Sequence, residues 1–364
     1  DGEEEARLAA QGVLLGWPEA DGLVCDIGGS SMELARVERR RVWERATSDL
    51  GPFRLASVKG GAKGRRRAID AGLAELAETV GRHGHLFLVG GSWRAIARLD
   101  MHRRGYPLSV LHHYEMTPRA VRETLDWLAQ GDLEALRKEA GVSGARASLV
   151  PLAGEVLRRL VRVLGVQRIT VSGYGLREGL LYEQMPERLR ARDPLVEAAR
   201  HAETLNARLP GFGDRLHDFI APLFAGSRTD PRLRHAACLL HDTAWRGHPD
   251  YRAEIVFDTA TRGNLGGIDH AGRVYLGLAL MHRYRNARPG NRFEPLLDLL
   301  TPEEAREAEI LGRAMRFGAM FSVAAPDRLG QLRWAPRAKR LELVLPPRAA
   351  DLYGEVAEAR LTSL

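Results

Sequence analysis

Leu23-Val24-Cys25-Asp26-Ile27-Gly28-Gly29-Ser30-Ser31-Met32-Glu33-Leu34 decides how the chain is read. An apolar strand delivers Asp26 to its end, where a carboxylate can hold a hard divalent cation directly or through water. Gly28 and Gly29 carry no side chain, so the backbone can turn sharply and set its N–H groups against an anion. Ser30 and Ser31 add hydroxyl donors. Glu33 lies in the following strand and can fold back towards the same pocket as Asp26. The competing reading is an ordinary hairpin turn with an exposed aspartate.

Outward from this loop, Met32–Val37 and Val42–Ser48 read as two hairpin-connected strands. Glu3–Gln11 precedes them as a helix. Ala68–His83 is helical, with Ile69, Leu73, Leu76 and Val80 on one face. Leu86–Val89 is a short apolar strand ended by Gly90-Gly91-Ser92, and a helix follows from Arg94. Thr117-Pro118 opens another helix as N-cap and first-turn proline. Leu149–Leu164 is amphipathic, and Arg168–Ser172 returns as a strand. Strands with flanking helices predict an α/β domain. From about Leu195 to Val323 the strand signals vanish and helical patterns recur, which predicts an all-helical region. The tail reads as a hairpin, Leu332–Ala335 with Leu341–Leu345, and a closing helix.

Composition narrows the class. The chain has 364 residues, 45% hydrophobic and 28% charged, which excludes a disordered or fibrous protein and implies more than one domain. No apolar run reaches about 18 residues, so no membrane-spanning helix is expected. Two cysteines far apart, Cys25 and Cys238, exclude a disulfide scaffold and predict a cytoplasmic location. The net charge of +7 favours anionic partners. Its one true cluster, Lys59 to Arg67 among glycines, reads as a solvated loop or a polyanion track. Composition alone supports nucleic-acid binding, so that partner is not expected.

Asp26-Ile27-Gly28-Gly29-Ser30-Ser31-Met32-Glu33-Leu34 resembles the second phosphate loop of the Ppx/GppA family, the exopolyphosphatases and guanosine pentaphosphate phosphohydrolases. Ser30 stands where the family's third glycine is usual. Further segments are similar to family motifs, in order: Gly2–Leu8, Leu50–Leu55, Gly90–Ala95, Tyr106–Leu108 with His112–Tyr114, and Ser172–Gly179. The resemblance implies a ribonuclease H-like α/β lobe of the actin/heat-shock-70/sugar kinase superfamily at residues 1–188. An all-helical HD-like domain at 189–325 and a small α+β C-terminal cap at 326–364 would follow it.

The same resemblance implies roles. Glu5 matches the residue that positions the attacking water. Asp26 and Glu33 match acidic residues associated with Mg²⁺ and the phosphate site. Gly28, Gly29 and Ser30 match the backbone cradle, Gly90, Gly91 and Ser92 a second glycine turn, and Arg94 a phosphate-facing guanidinium, with Arg54 a further candidate. Arg177 and Glu178 read as a structural pair, and His112 and His113 as packing residues. His241-Asp242 with His201 evokes an HD metal site whose further ligands, among Asp258, Asp269 and His270, are not in compelling register. The implied substrate is inorganic polyphosphate, with guanosine pentaphosphate as the alternative and non-catalytic binding of either as a third reading. A homodimer is a further implication. The superfamily's opening loop, Asp-x-Gly-Ser-Asn, does not occur in the sequence. The expectation is therefore a chain lacking most of an N-terminal lobe, with weak or no phosphatase activity by itself.

Overall fold

In the computed structural model, which describes residues 1–286 and 293–364, the sheet begins around Asp26. Strands β1 (Gly22–Ile27) and β2 (Met32–Glu38) pair antiparallel, and β3 (Arg41–Ser48) adds antiparallel to β2. Next, β4 (His85–Val89) lies parallel to β1. Beyond it, β5 (Tyr114–Met116) is antiparallel to β6 (Arg168–Val171), which is itself parallel to β4. The spatial order is β3-β2-β1-β4-β6-β5, the mixed order of a ribonuclease H-like lobe.

Both faces of this sheet are covered, which is why β1 reads as a nearly continuous apolar run. Leu23, Cys25 and Ile27 pack with four helices: α2 (Gly61–Val80), α3 (Gly91–Arg103), α4 (Pro118–Gln130) and α5 (Val150–Val163). On the other face Val24, Ala35, Phe87 and Val89 pack against the earlier helix at Gly2–Gly16, designated α1, and against α6 (Leu176–Gln184). These two helices touch backbone to backbone. A Cβ on Gly179 would stand 1.9 Å from the Leu8 carbonyl oxygen, and one on Gly12 would stand 2.2 Å from that of Gly175.

Three local readings change. The basic cluster is not a loop: Gly60, at φ +92°, turns the chain into α2 at Gly61, so Lys63 and Arg65 to Arg67 occupy its first turns. The helix read from Arg94 starts at Gly91, because Gly90 ends β4 in a conformation open mainly to glycine. The third residue of the His112-His113-Tyr114 segment enters an edge strand too short for its alternation to show.

The chain divides into two compact units, Asp1–Arg192 and Asp193–Leu364. The second is largely helical, built on α7 (Pro194–Asn206), α8 (Phe212–Ile220), α9 (Pro231–Leu240), α10 (Arg252–Arg262), α11 (His270–Tyr284) and α12 (Pro302–Phe321). The hairpin of β7 (Gln331–Ala335) and β8 (Arg340–Val344) and the closing helix α13 (Glu355–Thr362) fall in the same unit. Cys25 and Cys238 are both buried free thiols. Among the described residues, no helix is long and apolar enough to cross a membrane.

Candidate active site

The parallel strands β1, β4 and β6 end on one edge of the sheet, and the connections after them run in opposite directions on either side of the β1–β4 boundary. That boundary is where open α/β sheets form ligand crevices. Asp26 lies there, directly opposite Glu33 in the β1–β2 register, and Thr47 lies opposite Glu33 in β3. Side chains alternate across a sheet, so all three stand on the face that carries α1. The Thr47 hydroxyl donates to Glu33 Oε1 (3.3 Å). The first turn of α1 lies over them: a Cβ on Gly2 would be 2.4 Å from Thr47 Oγ1. Glu5 is exposed on that turn, and its charge acts on both Asp26 and Glu33.

Asp26 and Glu33 thus lie side by side under the first turn of α1, which carries Glu5. Glu33 is 2% exposed, and burial pushes its carboxyl up to about 7. Asp26 and Glu5 add repulsion, while the Ser31 and Thr47 hydroxyls oppose the rise. Burial also raises Asp26, against the pull of the Arg94 guanidinium. A site that holds two destabilised carboxylates side by side has unspent affinity for a cation.

The hairpin tip is braced from outside. Gly28 N–H donates to the Ser31 carbonyl (3.0 Å), and Phe53 N–H donates to the Gly29 carbonyl (2.7 Å). The Phe53 ring covers Gly29 so closely that a Cβ there would lie 2.6 Å from it. The Leu50–Leu55 segment is therefore the brace of the loop. Its Arg54 is exposed and pairs with Asp49 (3.2 Å). Gly28 and Ser30 are exposed at the tip.

Gly90 completes the opposite wall. Its φ is +106°, and a Cβ there would stand 2.6 Å from Asp26 Oδ1, so the β4 turn and the β1 carboxylate are in direct contact. Ser92 is buried at the start of α3. Arg94 is half-buried and ties the β6 loop down: its Nε donates to the Ser172 carbonyl (3.1 Å) and its Nη2 to that of Gly173 (3.0 Å). Two of its donors therefore serve the scaffold while its charge faces Asp26. Glu178 does not pair with Arg177; it accepts from Gly175 N–H (2.8 Å) and caps α6. His112 packs, stacked on Trp17 (4.3 Å between centroids) and accepting from Gly173 N–H (3.0 Å).

One residue escaped the sequence reading. The exposed Arg146 lies over Gly91, its Nε 3.4 Å from where a Cβ would be, and its charge acts on Arg94. In the sequence it is one scattered arginine among many, and only the fold brings it to the crevice.

In the second unit, His241 is buried with Nδ1 on the Cys238 carbonyl (2.8 Å), and burial with the Arg283 charge lowers it to about 4. Asp242 is taken by Arg208 through Nε (2.9 Å) and Nη2 (2.6 Å). Asp269 caps α11 by accepting from Gly272 N–H (2.6 Å). Among the described residues, no three His, Cys, Asp or Glu side chains are grouped to hold a metal.

Two family models match the chain: the Ppx/GppA phosphatase family over residues 1–188, and the exopolyphosphatase C-terminal region over residues 195–364. Retrograde regulation protein 2 of Saccharomyces cerevisiae is 24% identical over 348 residues, covering 85% of this chain. The chain spans 58% of that relative's length. Among solved structures, the Aquifex aeolicus Ppx/GppA phosphatase is 20% identical with a TM-score of 0.43, over 50% of this chain and 64% of that one. An exopolyphosphatase from Cytophaga hutchinsonii is 24% identical with a TM-score of 0.45, over 50% of this chain and 63% of that one. With a family model covering more than half of its residues, the chain belongs to the Ppx/GppA phosphatase family.

Proposed function

We propose that the protein is a phosphoanhydride hydrolase that releases the terminal phosphate of inorganic polyphosphate. The observation that carries this reading is the pairing of Asp26 with Glu33 beside two glycine turns at the strand switch point, with the Glu5 charge acting on both. Phosphoryl transfer to water needs a positioned nucleophile and neutralisation of spreading negative charge.

Each residue then has a task. Glu5, exposed at the helix start, accepts a hydrogen bond from the attacking water and orients it. The backbone N–H groups of Gly29 and Ser30, with those of Gly90, Gly91 and Ser92, cradle the phosphate oxygens, while the Gly28 N–H is held by the Ser31 carbonyl and closes the turn. Arg94 and Arg146 add positive charge on the α3 side of the crevice. Asp26 and Glu33 fit Mg²⁺, which usually takes one or two carboxylates and completes its shell with phosphate oxygens and water. When bound, the ion supplies charge neutralisation at the transferred group.

The test is phosphate release by the whole protein, since this chain by itself is expected to release little, from polyphosphate and from guanosine pentaphosphate, with Mg²⁺ and with chelator. Release that needs Mg²⁺ and falls by about 10²-fold or more in Glu5→Gln is the expected result. Full activity of that variant would refute the assignment of the water-positioning role. Faster release from guanosine pentaphosphate would move the substrate to the nucleotide. A second reading draws on the similarity to a protein named for regulation: a sensor that binds either anion without cleaving it. Saturable binding with no phosphate release would favour it. A homodimer is proposed on family grounds alone, and sedimentation tests it.

A further inference from the structure

A cavity lies in the first unit, among the helices on the sheet face opposite α1. It measures about 450 Å³, within the usual range for small-molecule sites. Its floor is aliphatic: Leu125 and Leu128 of α4 with Val150 and Pro151 of α5. Its rim is cationic, formed by Arg65 and Arg66 of α2 and by Arg158 and Arg159 of α5.

The four arginines are not equally occupied. Arg158 is bonded to Asp126 (2.6 Å), and Arg159 is bonded to Asp70. Arg65 and Arg66 share the single carboxylate of Glu155, at 3.9 and 3.8 Å, both beyond hydrogen-bond length. Arg65 Nε is shielded from solvent and has no hydrogen-bond partner among the described residues. A buried donor left unmade is costly, so an acceptor arriving at this rim is favoured. Two cations facing one carboxylate also leave an excess positive charge there.

We propose that this cavity binds an anion-headed amphiphile, an aliphatic chain ending in a phosphate or carboxylate. The chain lies on the Leu125–Val150 floor, and the head accepts from the Arg65 and Arg66 guanidiniums, which can present paired donors to such a group. Neither part of the ligand suffices alone. A bare phosphate leaves the apolar floor wet, and a neutral alkyl chain leaves Arg65 Nε unsatisfied.

Isothermal titration with octyl phosphate, octyl glucoside and inorganic phosphate tests this, with phosphatidic acid vesicles as a further arm. The expected result is one octyl phosphate per chain, bound at least tenfold more tightly than octyl glucoside or inorganic phosphate. Arg65→Glu combined with Arg66→Glu is expected to weaken it at least tenfold. Ala62→Trp, at an exposed position on the cavity wall, is expected to block it with the far-ultraviolet circular dichroism unchanged. The proposal is overturned if inorganic phosphate binds as tightly, if the arginine variant binds as well as the parent, or if only vesicles bind.

Discussion

Glu33 is the residue whose chemistry the fold changes most. Burial, with repulsion from Asp26 and Glu5, raises its carboxyl to about 7, so the folded chain holds a proton that the unfolded chain releases near pH 4.5. Between those values the native state binds more protons than the unfolded one, so stability falls as pH rises. The contribution is complete below about pH 4.5 and lost above about pH 7, and amounts to roughly 3 kcal/mol without a cation. Thermal melts in chelator from pH 4.5 to 7.5 check this: the parent should lose stability over that window relative to Glu33→Gln. Parallel pH profiles for the two proteins would show that Glu33 is not the strained group. The sequence placed Asp26 and Glu33 in one loop-and-strand unit, because period-two alternation and a four-residue turn put them opposite each other. It could not show their shared burial, which comes from α1 and β3.

At the scale of elements, the pairing of α1 with α6 positions the site. Helices normally pack 8–10 Å apart, and glycines allow closer contact. Gly179 against the Leu8 carbonyl and Gly12 against the Gly175 carbonyl draw these helices together, which sets the first turn of α1 over Thr47 and Glu33. Gly179→Ala forces a methyl group to 1.9 Å from backbone that cannot rotate away. We expect a loss of about 3 kcal/mol or more by urea denaturation, and phosphate release reduced further than stability explains. The Ser172–Gly179 motif was legible in the sequence, but its reason was not. Its Glu178 is a helix cap and its Gly179 a contact point, and both facts require a partner distant in sequence.

At the scale of the whole molecule, the first unit contains its sheet, both covering helical layers and every residue assigned to the site. A chain of residues 1–192 is therefore expected to melt cooperatively and keep the raised Glu33 titration. A broad, non-cooperative melt would show that its core depends on the second unit. The division into a mixed α/β part and a helical part was readable from hydrophobic period alone, because period two and period 3.6 leave different marks on a sequence. So were the β1–β2 hairpin and its glycine turn, whose interactions are local. The sequence by itself thus determined the strand that carries Asp26, the turn after it and the class of each unit. Tertiary structure alone decided that Gly90 touches Asp26, that Arg94 spends donors on the β6 loop, that Arg146 reaches the crevice, and that Lys63 to Arg67 are helical. The physical reason is that charge, burial and close approach depend on distance through space, which a pattern along one chain does not encode.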